Sequence, residues 1–383
     1  MSKQVYIAGA AMTAFAKHDK KSMQDLAQEA ALGALADAGV GLADVQAMYS
    51  ANVYGGMILG QVLMRDMGIT GPALYNVENA CASGATAVHL ARQALQLGKY
   101  ETVLIWGVEA LTQLGGGTIP LQRNDYKTGL YAALGMTLPS VYAMRAMRYL
   151  HERGESHETL ASIAVKNRAA GTRNPYAQQR KAVTLEEVLA SRPVAEPLTL
   201  LQCCPSMVDG AAAVVLTTKP GGTTGRPIRI LGSAVQSGHQ ELGCDDILDA
   251  EITARTAKLA YEEAGVSPSD VNVVELHDAF TIAELLYYEA LGLAPKGGGS
   301  DILKRGDTAL GGRVPVNPSG GLLAKGHPLG ATGVAQMVEI TWQLQGRAED
   351  RQVENARIGL TQCTGGGIAG VDHAASSVHV LAI

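Results

Sequence analysis

Two stretches of the chain share a Gly-Ala-Thr core but carry different reactive side chains. Residues 79–95 read NACASGATAVHLARQAL, and residues 325–338 read KGHPLGATGVAQMV. Aligning Gly84-Ala85-Thr86 with Gly330-Ala331-Thr332 places Cys81 over His327. A cysteine ahead of a helix meets unsatisfied N–H groups and a partial positive charge, which lower its pKa. An imidazole within reach of a thiol is the usual device that makes it a nucleophile. Each residue also has a bland role. Buried free cysteines are mostly small apolar filler, and a lone histidine is more often a cap or a satisfied core residue. The repeated setting favours chemistry, because pseudo-symmetric packing of the two stretches would bring Cys81 and His327 together.

Two more stretches place reactive types where strand-like runs end. VVELHDAF (273–280) carries His277 and Asp278, and IGLTQCTGGG (358–367) carries Cys363 followed by three glycines. Loops at strand ends in α/β folds commonly hold active residues. Capping by the His277-Asp278 pair and strand-end filling by Cys363 are the competing structural roles. The glycines of NPSGG (317–321) and AKGHPLG (324–330) allow close backbone approach by a ligand.

The elements that must position these residues follow a repeated order. QVYIAG (4–9) predicts a buried strand, and Ser22 with Asp25 a capped helix ending at Gly39. Strands are expected at 47–54, 73–78 and 102–107, and a helix at 82–97. Residues 112–206 break the rhythm, with helical stretches near 138–152 and 158–171. DGAAAVVLTT (209–218) returns to strand, and KPGGTTGRP (219–227) is the best linker. Then the opening repeats. IRILGS (228–233) matches VYIAGA, and Ala264-Gly265-Val266 with Asp270-Val271 matches Ala38-Gly39-Val40 with Asp44-Val45. Three matches in one order predict a duplicated chain with helix-covered, mixed or largely parallel sheets. The expected units are a first half over 1–111 completed by 207–219, an inserted helical region over 112–206, and a second half over 226–383. The small-residue helices at 82–95 and 331–338 are expected to be buried on every side, facing each other at the centre.

Composition narrows the function classes. Of 383 residues, 47% are apolar, so a large core is expected. The net charge of −5 lacks long runs of either sign, which argues against nucleic acid. Five cysteines (81, 203, 204, 244 and 363) with no leader-like start argue against a disulfide framework, and no CxxC pair suggests zinc. No run of 18 apolar residues suggests a membrane span, and the terminal VLAI is not a peroxisomal address. A reduced, soluble, cytoplasmic protein is expected, with no metal.

The blocks ENACASGATAV, LHDAF, NPSGGLLAKGHPLGATG and QCTGGG resemble the four active-site blocks of the thiolases, in order and spacing. The likeness extends over essentially the whole chain, including residues 165–216. HDAF, where conventional thiolases carry Asn-Glu-Ala-Phe, resembles the sterol-carrier-protein-type and bacterial or archaeal thiolase-like branch. The resemblance implies the thiolase fold: duplicated halves forming a five-layered αβαβα sandwich, with an inserted helical loop domain. It implies a homodimer or dimer of dimers, acting on acyl-CoA and CoA, with coenzyme A a substrate and no separate cofactor. Cys81 would attack the thioester, His327 would take its proton, and Cys363 would move the α-proton. His327 and His277 would face the thioester oxygen, and the backbone N–H groups of Cys81 and Gly365 would form a second oxyanion hole. His277 replaces the usual Asn, and Ala279 stands where the sterol-carrier type carries a cysteine, which leaves Cys363 as the second thiol. Arg123, Lys127, Arg145 and Arg148 are possible phosphate contacts, though ordinary solvated charge is the stronger expectation. Some members of the branch work with a small zinc-ribbon/OB-fold subunit that binds acyl-CoA. The competing functions are a carbon acyltransferase with a non-CoA acceptor and a non-enzymatic lipid-carrier or scaffold subunit; retention of Cys81, His327 and Cys363 speaks against the latter.

Overall fold

The computed structural model describes residues 3–115, 129–130, 133–219, 226–239, 246–367 and 372–383. Cys244, Arg123, Lys127 and most of the expected 219–227 linker lie outside them. The first half runs β1 (Tyr6–Met12), α1 (Met23–Ala38), β2 (Ala47–Ala51), α2 (Leu59–Asp66), β3 (Ala73–Val77), α3 (Ser83–Gln96) and β4 (Thr102–Ala110). Helices α4 (Leu138–Arg153) and α5 (His157–Gly171) and the hairpin β5 (Pro193–Ala195) and β6 (Leu198–Thr199) follow. Strand β7 (Asp209–Thr217) then returns to the sheet. The second half runs β8 (Ile228–Ser237), α6 (Glu251–Ala264), β9 (Val273–Glu275), α7 (Thr281–Ala290), α8 (Gly321–Lys325), α9 (Leu329–Gln345), β10 (Ile358–Gly367) and β11 (His373–Ala382).

The strands order as β3-β2-β4-β7-β1-β8-β11-β10-β9. Within the sheet the two halves are joined where Tyr6 pairs with Arg229 and Ile7 with Ile228. Pairing is mixed, as expected: β2 runs parallel to β3 and β4, and β9 to β10, while β7 is antiparallel to β1 and β4. Strands β2, β4 and β7 are buried on both faces, which is why they read as continuous apolar runs. On β4, Val103 and Ile105 join the central core, while Leu104, Trp106 and Val108 join the outer core under α1. Helices α3 and α9 fill the space between the halves. Helices α6 and α7 cover the far face of the second half, where α4 also packs. The layers therefore run helix, sheet, helix, sheet, helix.

The duplication extends to local geometry. Gly39 ends α1 at φ 66° and ψ 29°, and Gly265 ends α6 at φ 66° and ψ 32°, left-handed turns that favour glycine. Asp44 then accepts from the Gly41 N–H, and Asp270 from the Ser267 N–H. A Cβ on Gly9 of β1 would lie 2.3 Å from Ala34 O of α1, and one on Gly232 of β8 would lie 2.1 Å from Ala260 O of α6. Both halves thus press a helix onto a strand at a glycine.

Several expectations need correction. Strand β2 stops at Ala51, short of residue 54. Strand β10 runs through Cys363 and its glycines to Gly367, because pairing with the unforeseen β11 continues to His373. Helix α9 is buried from Leu329 through Leu344, but α3 leaves Leu90 40% exposed, because only α9 lies between both halves along its length. Arg145 is buried and donates to Ile247 O and Asp249 O, which takes it out of the solvated charges expected, while Arg148 stays exposed and pairs with Glu152 as such a charge would.

Candidate active site

Helices α3 and α9 cross at their repeated cores. A Cβ on Gly84 would sit 2.7 Å from Gly330 O and 2.9 Å from Val334 N, and one on Gly333 would sit 2.4 Å from Ala85 N. Only hydrogen at these positions lets the helix starts touch. That approach brings Cys81, two residues before α3, to His327, two residues before α9. The reactive atoms of Cys81, His327 and His277 lie within 4.8 Å of one another. His277 follows β9, and its backbone N–H donates to Gln362 Oε1 of β10. Cys363 of β10 completes the set, its thiol donating to the Cys81 carbonyl at 3.1 Å. The four reactive residues singled out from sequence thus converge.

The electrostatics differ from the simple helix-terminus picture. Cys81 keeps part of its surface accessible. Yet burial of its sulfur pushes the thiol up to about 12, against the backbone N–H groups of Gly366 and Cys81, which favour the thiolate. A helix N-terminus contributes about 0.3–1 kcal/mol, too little to offset that desolvation, so Cys81 rests protonated. Burial also raises the Cys363 thiol, with the neighbouring Cys81 adding to the effect. Burial drives His327 down to about 3, and burial followed by the nearby His327 and His373 holds His277 well below its usual range. The resting set is neutral: two thiols and two imidazoles.

His327 is oriented as a base. Thr332 Oγ1 donates to Pro328 O at 3.0 Å, so it accepts from His327 Nδ1–H at 2.8 Å, which leaves Nε2 bare. The N–H that touches the Cys81 sulfur from β10 is that of Gly366, one position beyond Gly365. Gly365 instead packs tightly on the Cys81 loop, where a Cβ would meet Asn79 O at 2.2 Å. Asp278 accepts from Leu322 N at 2.7 Å and fastens the start of α8, the helix just ahead of His327.

Sequence reasoning missed several residues here. Glu109 on β4 accepts from Val53 and Tyr54 N–H groups, is held up to about 7 by burial, and raises the Cys81 thiol further. Thr364, Tyr287, Tyr142 and His373 line the far side of His277. Thr364, between Cys363 and Gly365, carries no motif signal, and Tyr287 and Tyr142 read as helix core.

A duplicated five-layered αβαβα fold with a cysteine and a histidine at paired central helix starts defines a class of acyl-transfer enzymes. Residues 5–220 match the family described as "Thiolase, N-terminal domain", and residues 234–381 match "Thiolase C-terminal domain-like". The chain is 43% identical over 376 residues, 96% of each chain, to the benzoylsuccinyl-CoA thiolase subunit BbsB of Thauera aromatica. It is 39% identical over 381 residues to sterol carrier protein 2 of Gallus gallus, covering 94% of this chain and 69% of that one. Among solved structures it resembles an Ltp2-ChsH2(DUF35) aldolase, with a TM-score of 0.85 and 27% identity over 99% of this chain and 97% of that one. The chain belongs to the thiolase family and is an acyltransferase of the thiolase class.

Proposed function

We propose that this enzyme works through an acyl-enzyme on Cys81, cleaving 3-oxoacyl-CoA with CoA or running the reverse condensation with acetyl-CoA. The convergence of the Cys81 sulfur with a ring nitrogen of His327 and one of His277, all within 4.8 Å of one another, carries this reading. In condensation the Cys81 thiol gives its proton to His327 Nε2 as sulfur attacks the acetyl-CoA thioester carbonyl, the C–S bond breaks and CoA leaves. In cleavage sulfur attacks the 3-oxo carbonyl instead, the bond between the α- and β-carbons breaks, and the departing acetyl-CoA carbanion takes its proton from Cys363. The acyl group is then taken by CoA thiolate, or by the α-carbanion of a second acyl-CoA. Cys363 exchanges the α-proton. His277 and His327 serve the thioester oxygen, and the backbone N–H groups about Cys81 and Gly365–Gly366 serve the oxyanion formed at the acyl cysteine. Each such donor is ordinarily worth about 3–4 kcal/mol of barrier.

A second reading comes from the aldolase named in the similar solved structure, in which no acyl group would rest on the protein. Intact mass spectrometry separates the two after incubation with acetyl-CoA and a panel of 3-oxoacyl-CoAs. An acyl adduct on Cys81 that free CoA discharges is expected. Absence of any adduct would remove the thiolase mechanism and the variant that uses a non-CoA acceptor alike.

A partner belongs to this proposal. One relative is named as a thiolase subunit, and the similar solved structure is titled with a DUF35 protein. A small zinc-ribbon/OB-fold subunit that helps bind acyl-CoA fits both, alongside a homodimeric or tetrameric arrangement. Among the described residues no helix is long and apolar enough to cross a membrane. A cytoplasmic location is part of this proposal and rests on the cysteines, those among the described residues being free thiols.

A further inference from the structure

Behind His277 runs a buried chain of polar side chains drawn from four separate elements. His277 Nε2 lies 3.3 Å from His327 Nε2, and His277 Nδ1 lies 3.1 Å from Thr364 Oγ1 of β10. Thr364 Oγ1 is 3.2 Å from the Tyr287 hydroxyl of α7, which is 3.3 Å from the Tyr142 hydroxyl of α4. Tyr142 reaches His373 Nε2 of β11 at 2.5 Å, and His373 Nδ1 reaches Gly366 O at 2.7 Å. Every side chain in this chain is at most 7% exposed.

Both ends have fixed polarity. Gly366 O can only accept, so His373 carries its proton on Nδ1 and its Nε2 is bare. His327 Nε2 is bare as well, because Nδ1–H is committed to Thr332. Between these two acceptors lie His277, Thr364, Tyr287 and Tyr142, with one proton each for five contacts. One contact must therefore lack a proton. A bare imidazole nitrogen has a single lone pair and loses its whole interaction there, whereas a hydroxyl oxygen has a second lone pair and a rotating proton. The empty position costs least between hydroxyls, and the Tyr142–Tyr287 contact is the longest of those in the chain. With the vacancy there, Tyr287 donates to Thr364, Thr364 donates to His277 Nδ1, and His277 carries its proton on Nε2.

We propose that Thr364 and Tyr287 are positioning residues that hold His277 in the Nε2–H tautomer, and that this N–H caps His327 Nε2 until a thioester oxygen draws it away. The resting base is then latched by its neighbour. A substrate oxygen arriving between the two imidazoles accepts the His277 N–H, which frees the His327 lone pair. The Cys81 S–H bond breaks and an N–H bond forms at His327 Nε2. That new N–H also points at the thioester oxygen, so both imidazoles end as donors to it. No tautomer change at His277 and no outside proton is required. The inference rests on the thiolase reading for its catalytic consequence, but not for the tautomer itself.

Long-range proton–nitrogen NMR on histidine-labelled protein reads the tautomer in the resting enzyme without turnover. His277 is expected as Nε2–H, and an Nδ1–H His277 would overturn the proposal. Thr364→Val should give a mixture of tautomers and lower kcat/KM for Cys81 acylation by roughly 10–100-fold, the scale on which partners of an orienting histidine act. Thr364→Ser keeps the hydroxyl and should restore both signals. A Tyr287→Phe enzyme should fall between, since Thr364 keeps its own proton. Unchanged tautomer and rate in Thr364→Val would remove the positioning role. If the wild type shows Nε2–H but never an acyl adduct, the thiolase mechanism fails and the tautomer assignment stands.

Discussion

The Cys363 thiol donates to the main-chain carbonyl of Cys81 at 3.1 Å, so the second sulfur is tethered across the backbone of the first. Their thiols also interact electrostatically, each raised mainly by burial. In the proposed mechanism Cys363 exchanges the α-proton while Cys81 carries the acyl group, so the two thiols serve different steps. Cys363→Ala should therefore leave acyl transfer from acetyl-CoA onto Cys81 within a few-fold of wild type, while condensation and full thiolysis fall about 10²–10⁴-fold, the usual contribution of a positioned acid or base. Adduct formation by mass spectrometry and condensation by CoA release check the two halves separately. Unaffected condensation would assign the proton transfer elsewhere.

Much of the site was legible because duplication writes the same geometry twice. The shared Gly-Ala-Thr core puts Cys81 over His327 from sequence alone, and Gly84 of that core is where α3 touches α9. The matching Ala-Gly-Val segments became matching left-handed helix ends at Gly39 and Gly265. What the sequence hid depends on depth and register. The thiol's high pKa follows from how much protein surrounds it, which no local motif records. Tyr142, Tyr287 and His373 come from α4, α7 and β11, and only tertiary packing joins them. The exposed side of α3 was missed because small residues look equally suited to burial wherever they fall.

The pH dependence of acylation follows from the neutral resting set. With His327 held down near about 3, its base form is present at every working pH and is lost only as pH falls through that value. Cys81, raised to about 12, stays a thiol until far above neutrality. The rate of Cys81 acylation should thus be nearly flat from about pH 5 to about pH 9, without the limb near 6.5 that an unperturbed histidine gives. Single-turnover acylation across this range checks it, run in Glu109→Gln as well because the Glu109 carboxyl, held up to about 7, titrates within the range; a clear inflection near 6.5 in that variant would mean the imidazoles are not desolvated in solution.

Contact between α3 and α9 predicts a stability effect. A methyl group on Gly84 would press against Gly330 O at 2.7 Å and Val334 N at 2.9 Å, both backbone atoms in a helix buried on all sides. Neither can rotate away, so α9 or α3 must shift. Overpacking of this kind costs about 1–3 kcal/mol. Gly84→Ala should lower the melting temperature, and because the same shift separates Cys81 from His327, it should also slow acylation. Gly346→Ala serves as the contrast: no atom crowds its Cβ, and its left-handed φ of 72° strains stability without moving the site.

Glu109 offers a test of the field around the nucleophile. Burial holds its carboxyl up to about 7, above the ordinary carboxylate range, and its negative charge raises the Cys81 thiol. A carboxyl whose folded pKa is raised binds its proton more tightly in the folded state, so it disfavours folding as pH rises past the unfolded value and does so fully above the folded one. Glu109→Gln removes that charge but keeps an oxygen to accept from the Val53 and Tyr54 N–H groups. The variant's melting temperature relative to wild type should therefore improve between pH 5 and pH 8.5. Iodoacetamide should also alkylate Cys81 a few-fold faster at pH 8.5, since a shift of one pKa unit corresponds to about 1.4 kcal/mol. Calorimetry at the two pH values and timed alkylation check both consequences. A melting difference independent of pH would mean that Glu109 is already protonated throughout, and that its effect on Cys81 comes from hydrogen bonding to the Val53–Tyr54 turn alone.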